Sequence, residues 1–129
     1  MIVLDASVVI AHLSSRDAHH ALAVEFFRRH ATTSFSMHPL TMTEVLIGPA
    51  RIGRSEAAEL ALASLGIEEW TPPKGSAARL ARIRVESGMK LPDCCVLDAA
   101  IAQQAAIATF DEAVAEAARA LGIMVVEGD

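Results

Sequence analysis

The stretch Ile2-Val3-Leu4-Asp5-Ala6-Ser7 decides the fold. Three consecutive apolar residues, two of them β-branched, read as a strand covered on both faces. An ionisable side chain follows at once, and Ala6 to Leu13 then continues as a short helix. A strand buried on both faces belongs in a parallel sheet sandwiched between helices. Ala106-Ile107-Ala108-Thr109-Phe110-Asp111 repeats the same order of apolar strand and terminal acid near the other end of the chain.

Working outward, Asp17 reads as the N-cap of a helix through about residue 29, with Ala21, Val24 and Phe27 at helical spacing. A second strand is expected at about 33–36. A helix carrying Thr41, Glu44, Val45 and Ile47 follows His38-Pro39 and should stop at Gly48-Pro49. Ser55 is read as the cap of a helix to about residue 64, and Ile67 to Trp70 as an edge strand. Pro72-Pro73 breaks the chain before a helix from about 75 to 87, which Gly88 closes. Pro92 suits the first turn of the next helix, running to about residue 104. A strand at 106–109, a helix at 111–120 and a last strand at 123–126 complete the pattern. The fold class is therefore α/β: a three-layer α/β/α sandwich around a central parallel sheet of about five strands, in a single domain spanning 1–129.

Bulk properties exclude several classes. At 129 residues with 53% hydrophobic and 21% charged content, the chain can bury a real core and does not read as disordered. A formal net charge of −5 rules out coating nucleic acid by bulk electrostatics, so any such contact needs a local basic patch. No apolar run approaches the ~18 residues of a membrane span. No basic or cleavable leader precedes the first strand, and a cytoplasmic location is expected. Cys94 and Cys95 are adjacent, lack zinc-type spacing, and read as small buried hydrophobes.

The chemistry lies in the acids. In open α/β sheets, ligands bind beyond the carboxyl ends of the strands. Asp5 and Asp111 fall there, while Glu44 and Asp93 sit early in helices. Each acid has a plain alternative, since Asp commonly caps helices and a helix N-terminus tolerates negative charge. Their joint placement at one sheet edge is harder to explain so simply. Two carboxylates ~4 Å apart at an effective dielectric near ~20 repel by about 4 kcal/mol, so either some are protonated or a hard divalent cation holds them. Ser7 is placed to orient Asp5 by a hydrogen bond. Asp98 points about 140° from Asp93 around their helix and reads as a residue supporting the site from behind or as a surface or interface residue. The five histidines match no known spacing for metal-free cleavage.

Four segments taken together, strand-Asp5-Ala6-Ser7, Thr41-Met42-Thr43-Glu44-Val45-Leu46-Ile47-Gly48-Pro49-Ala50-Arg51, Lys90-Leu91-Pro92-Asp93-Cys94-Cys95 and Ala108-Thr109-Phe110-Asp111, resemble a PIN-domain ribonuclease. More narrowly, they resemble the VapC toxins of bacterial toxin–antitoxin modules. The resemblance spans nearly the whole chain. It implies a metal-dependent endoribonuclease using Mg²⁺ or Mn²⁺, with Asp5, Glu44, Asp93 and Asp111 as the acidic constellation. Ser7 and Thr109 would be its polar support. It also implies a homodimer, a VapB-type antitoxin partner and an RNA substrate, structured RNA such as tRNA or rRNA being favoured because aromatic residues are few. Arg51, Arg54, Arg79, Arg82 and Lys90 are the candidate phosphate contacts. The alternatives are a catalytically inactive binding module of the same fold and a phosphoacceptor receiver-like domain. The latter wants paired acids after the first strand and a lysine after the last, and neither is present.

Overall fold

The computed structural model describes residues 1–126. The elements are β1 (Ile2–Leu4), α1 (Ala6–Leu13), α2 (His20–Arg29), β2 (Phe35–Met37), α3 (Pro39–Arg51), α4 (Ser55–Ser64), β3 (Ile67–Glu69), α5 (Ser76–Ser87), α6 (Leu91–Gln103), β4 (Ala106–Ala108) and α7 (Glu112–Ala120). The sheet is parallel throughout, in the order β3-β2-β1-β4. Ile2 pairs with both Phe35 and Ala106, so β1 is central.

Alternation along the strands separates the two cores. Ile2 and Leu4 of β1, with Phe35 and Met37 of β2, face a cluster with Val8, Val9, Phe26, Phe27, Val45 and Leu62 from α1 to α4. Val3 and Ile107 face the other side, against Ile83, Val96, Leu97, Ala100 and Ala118 from α5 to α7. Ser36 falls between two inward-facing residues of β2 and accepts a hydrogen bond from Gln103 Nε2 at 3.0 Å. The period of two thus assigns each helix to a layer.

Several boundaries differ from expectation. The sheet has four strands among the described residues, not about five. Val125 makes only an isolated parallel bridge to Ile107, with Ile107 N–H on the Met124 carbonyl and Val126 N–H on the Ile107 carbonyl. The helix carrying Glu44 does not stop at Gly48-Pro49 but includes Pro49 and ends at Arg51. Pro49 lies in the last turn, where the missing N–H costs one bond, and its carbonyl accepts from Arg54 N–H at 2.8 Å. Asp17 is not the α2 cap: it accepts from His19 N–H at 2.8 Å, and the helix begins at His20. Arg54, rather than Ser55, caps α4, without a side-chain bond. Gly88 ends α5 at φ 70°, a left-handed conformation open to glycine at little cost. Cys94 and Cys95 are free and buried, as expected.

Candidate active site

Strand order reverses between β1 and β4, because β2 and β3 extend the sheet on one side of β1 and β4 on the other. Such a switch point opens a crevice beyond the strand ends. Asp5 stands there, 7% exposed, directly after β1. Its backbone N–H donates to the Ala108 carbonyl at 3.0 Å, pinning it to β4.

The simple capping account fails for Asp5. It occupies the N-cap position of α1, yet its side chain accepts no capping bond. Instead Asp5 Oδ2 accepts from Ser7 Oγ and from Thr109 Oγ1, each at 2.7 Å. These hydroxyls are themselves held: Ser7 Oγ accepts from Phe110 N–H and Thr109 Oγ1 from Asp111 N–H, both at 3.0 Å. One carboxylate oxygen is therefore fixed by two strand ends, while Oδ1 accepts neither of these bonds.

The other acids surround this point unequally. Burial, followed by the charges of Asp5 and Asp93, raises the Glu44 carboxyl above its ordinary pKa. Burial also raises Asp93, with Asp5 and Asp111 adding to the effect and Lys90 opposing it. Asp5, Glu44 and Asp93 thus lie within one another's field, and Asp111 joins through Asp93. Asp111 keeps its capping role, Oδ1 accepting from Ala113 N–H at 2.9 Å and Val114 N–H at 3.4 Å. Among the described residues, no three acidic, histidine or cysteine side chains converge closely enough to share an ion.

The donor chemistry fits a hard cation. The set is all oxygen, its charges repel one another, and Mg²⁺ normally keeps several waters while binding one or two carboxylates. Convergence of every acid on one point is therefore not required. Asp5, Glu44, Asp93 and Asp111 are the residues that could hold such an ion.

The raised carboxyls have a consequence for stability. Glu44 and Asp93 bind protons more tightly in the fold than in the unfolded chain, so stability falls as pH rises through that window. Their stabilising contribution is complete below the ordinary carboxylate range and lost once pH passes the raised values. In metal-free protein near about pH 7, Asp93→Asn is expected to raise stability by up to about 1 kcal/mol, solvent screening keeping the gain small. Thermal melts between about pH 4 and 7 should be flatter for the variant. Identical profiles for variant and wild type would refute the mutual repulsion.

Asp98, expected at the surface, is 1% exposed. Arg79 reaches it through Nε to Oδ1 at 2.9 Å and through a terminal nitrogen to Oδ2 at 3.2 Å. The same guanidinium donates to the Lys74 and Pro73 carbonyls. Arg79, a candidate phosphate contact from the sequence, is thus already matched to Asp98 and two carbonyls, with its side chain 23% exposed. Arg54 does line the groove beside Glu44, and Arg16, which sequence reasoning missed, lines it too. Spacing gave no signal for Arg16, because it shares a groove with Glu44 only when α1 lies against α3. Lys90 acts on Asp93, whereas Arg51 and Arg82 are exposed on α3 and α5. The histidines form no constellation: His12 packs on Phe27, His30 on Phe26, and His38 accepts from Leu40 N–H to cap α3.

A family model described as PIN domain matches residues 2–120. The chain belongs to the PIN domain family. Solved structures agree on the fold. FitAcB from Neisseria gonorrhoeae superposes with a TM-score of 0.72 at 20% identity, covering 99% of this chain and 98% of that one. VapC20 from Mycobacterium tuberculosis, described as a sarcin-ricin loop cleaving toxin, gives 0.73 at 16% identity, with 98% and 99% covered. VapBC2 from Rickettsia felis, bound to a DNA fragment from its promoter, gives 0.73 at 13% identity, with 98% of both chains covered. No curated protein sequence matches the chain at a significant level. Among the described residues, no helix of this PIN domain is long and apolar enough to cross a membrane.

Proposed function

We propose that this PIN-domain chain is a metal-dependent endoribonuclease acting as the toxin of a VapBC-type toxin–antitoxin pair. The observation that carries the reading is the placement of Asp5. A buried carboxylate at the sheet's switch point has one oxygen locked by Ser7 and Thr109, and two further acids feel its charge. When bound, Mg²⁺ or Mn²⁺ supplies an activated water and charge neutralisation at the scissile phosphate. The chain's own contribution is to hold Asp5 rigid with Glu44 and Asp93 in its field and Asp111 in that of Asp93. Arg16, Arg54 and Lys90 offset the negative field at the rim for a polyanion, and Arg51 and Arg82 are exposed cations on α3 and α5 available to more distant phosphates. Ser7→Ala or Thr109→Val should each reduce cleavage about 10- to 100-fold, the usual cost of loosening a metal ligand's partner, while the protein stays folded.

The toxin reading draws support from the fold shared with toxins and toxin–antitoxin complexes. A groove of about 730 Å³ runs from Glu44 between α1, α3 and α4, walled by Ile10, Leu13, Val45 and Ile52. A VapB-type antitoxin tail with apolar residues and one basic side chain fits this chemistry. Exposed Leu22, Val24, Ile47 and Leu60 on α2, α3 and α4 are available for that contact or for a homodimer. We place the protein in the cytoplasm, as a single unit across 1–129.

One observation favours a second reading, a PIN-fold binding module without catalysis: no three described acids converge. Sequencing RNA ends after brief induction in bacterial cells, with Asp5→Asn as control, decides between them. Discrete new ends and growth arrest with the wild type alone are expected. Identical end profiles from both proteins would remove the nuclease reading.

A further inference from the structure

The aromatic pair beside the acids has no part in the scheme above. Phe110 lies between Thr109, which holds Asp5, and Asp111, and its backbone N–H is tied to Ser7 Oγ. Its ring packs against the core cluster of α1 to α4. On Phe110 lies the His19 imidazole, with ring centroids 4.9 Å apart and planes 17° from parallel. The His19 side chain is 50% exposed.

Nothing about α2 requires this ring. His19 takes the N-cap position without any side-chain capping bond. Its backbone is nevertheless fixed, since its N–H donates to Asp17 Oδ1 at 2.8 Å and its carbonyl accepts from Ala23 N–H at 2.9 Å. A flat ring thus rests one face on the partly buried Phe110, the residue before Asp111, with its Nδ1 3.8 Å from Asp17 Oδ1 and half of its side-chain surface open to solvent. A planar, half-exposed aromatic stack beside a phosphate-handling site is the form of a base platform. Pre-organisation spares the ordering cost that a mobile ring would incur on binding.

Resting on the nuclease reading, we propose that His19, backed by Phe110, stacks an unpaired nucleobase of the RNA next to the scissile phosphate. A base inside an intact duplex presents no free face, so the favoured substrate is single-stranded or a loop with an extruded nucleotide. His19 is on this account a substrate-positioning residue.

The test compares wild type with His19→Ala and His19→Phe on one RNA loop that the wild type cuts with Mn²⁺. Base–aromatic stacking energies predict that His19→Ala raises KM about 5- to 100-fold with little change in kcat, and that His19→Phe restores it. Both variants should stay folded, because the ring supports no cap. An unchanged KM in His19→Ala overturns the platform while leaving the nuclease intact. Loss of kcat in both variants also overturns it, by pointing to chemistry rather than stacking. A second readout does not need cleavage. In Trp70→Phe/His19→Trp protein, the introduced indole should be quenched by poly(U) or poly(A) but not by blunt duplex RNA. Quenching without any cleavage by the wild type retains the platform and removes the nuclease; equal quenching by duplex, or none, removes the platform.

Discussion

Asp5→Asn is expected to abolish divalent-cation binding and RNA cleavage together while leaving the fold intact. Asparagine matches the shape of aspartate, and its carbonyl oxygen can still accept from Ser7 Oγ and Thr109 Oγ1. The strand ends should therefore stay joined. What disappears is the charge that makes the remaining oxygen a ligand for a hard ion. The loss in cleavage should exceed about 100-fold, the upper end for groups that merely orient a ligand. Metal linkage gives an independent measure. Mn²⁺ at about 100 times its Kd should stabilise the wild type by about 2.7 kcal/mol and leave Asp5→Asn unmoved. A variant that still gains stability from Mn²⁺ would show that Asp5 is not a principal ligand. The acidic field relaxes in the variant as well, because Asp5 is one of the charges raising Glu44 and Asp93. Metal-free Asp5→Asn should therefore be at least as stable as the wild type near neutral pH.

The largest loss of stability is expected from Arg79→Ala. Asp98 is buried on α6, and its two oxygens are matched by the Arg79 fork from α5. Removing the arginine strands a carboxylate in the core, a change that typically costs about 3–5 kcal/mol. The reverse deletion is milder. In Asp98→Ala, Arg79 keeps its bonds to the Lys74 and Pro73 carbonyls and its access to solvent, so a loss of about 1–3 kcal/mol is expected. Replacing both by apolar residues of similar size, Arg79→Met with Asp98→Leu, should recover most of the loss, since a buried pair rarely beats good packing. Urea denaturation of the four proteins measures all three differences. Equal losses from the two single deletions would contradict the asymmetry. Full stability in Arg79→Ala would mean that Asp98 finds another partner.

These two experiments probe features that were unequally legible in the sequence. The acid after β1 and the acid after β4 were readable because a terminal position follows from strand pattern alone. Thr109 as polar support was implied only by the resemblance to the family. Glu44 was singled out as an acid within an apolar stretch; the fold exposes the residue while drawing its carboxyl toward Asp5 and Asp93. Asp98 was misread because helical angle placed it away from Asp93 and no local rule reveals an arginine nineteen positions earlier. Arg79 was misread by the same omission, its charge looking free when it was already matched.

The boundaries failed where local signals competed. Gly48-Pro49 reads as a stop, but proline in a final helical turn removes little. Asp17 has the right side chain for a cap, and uses it on the turn before the helix instead. The expected final strand keeps one parallel bridge to β4, Val125 with Ile107.

Sequence alone determined the layered parallel architecture, since runs apolar on both faces can be satisfied only between helices. It also determined which acids lie at strand ends, because that follows from where each run stops. Only the tertiary structure decided which oxygen of Asp5 is locked, that Asp98 and Arg79 neutralise each other in the core, and that His19 rests on Phe110. Those are contacts between residues distant along the chain. Their energies depend on angstrom-scale distances and on exclusion of water, which exist only once the layers have closed.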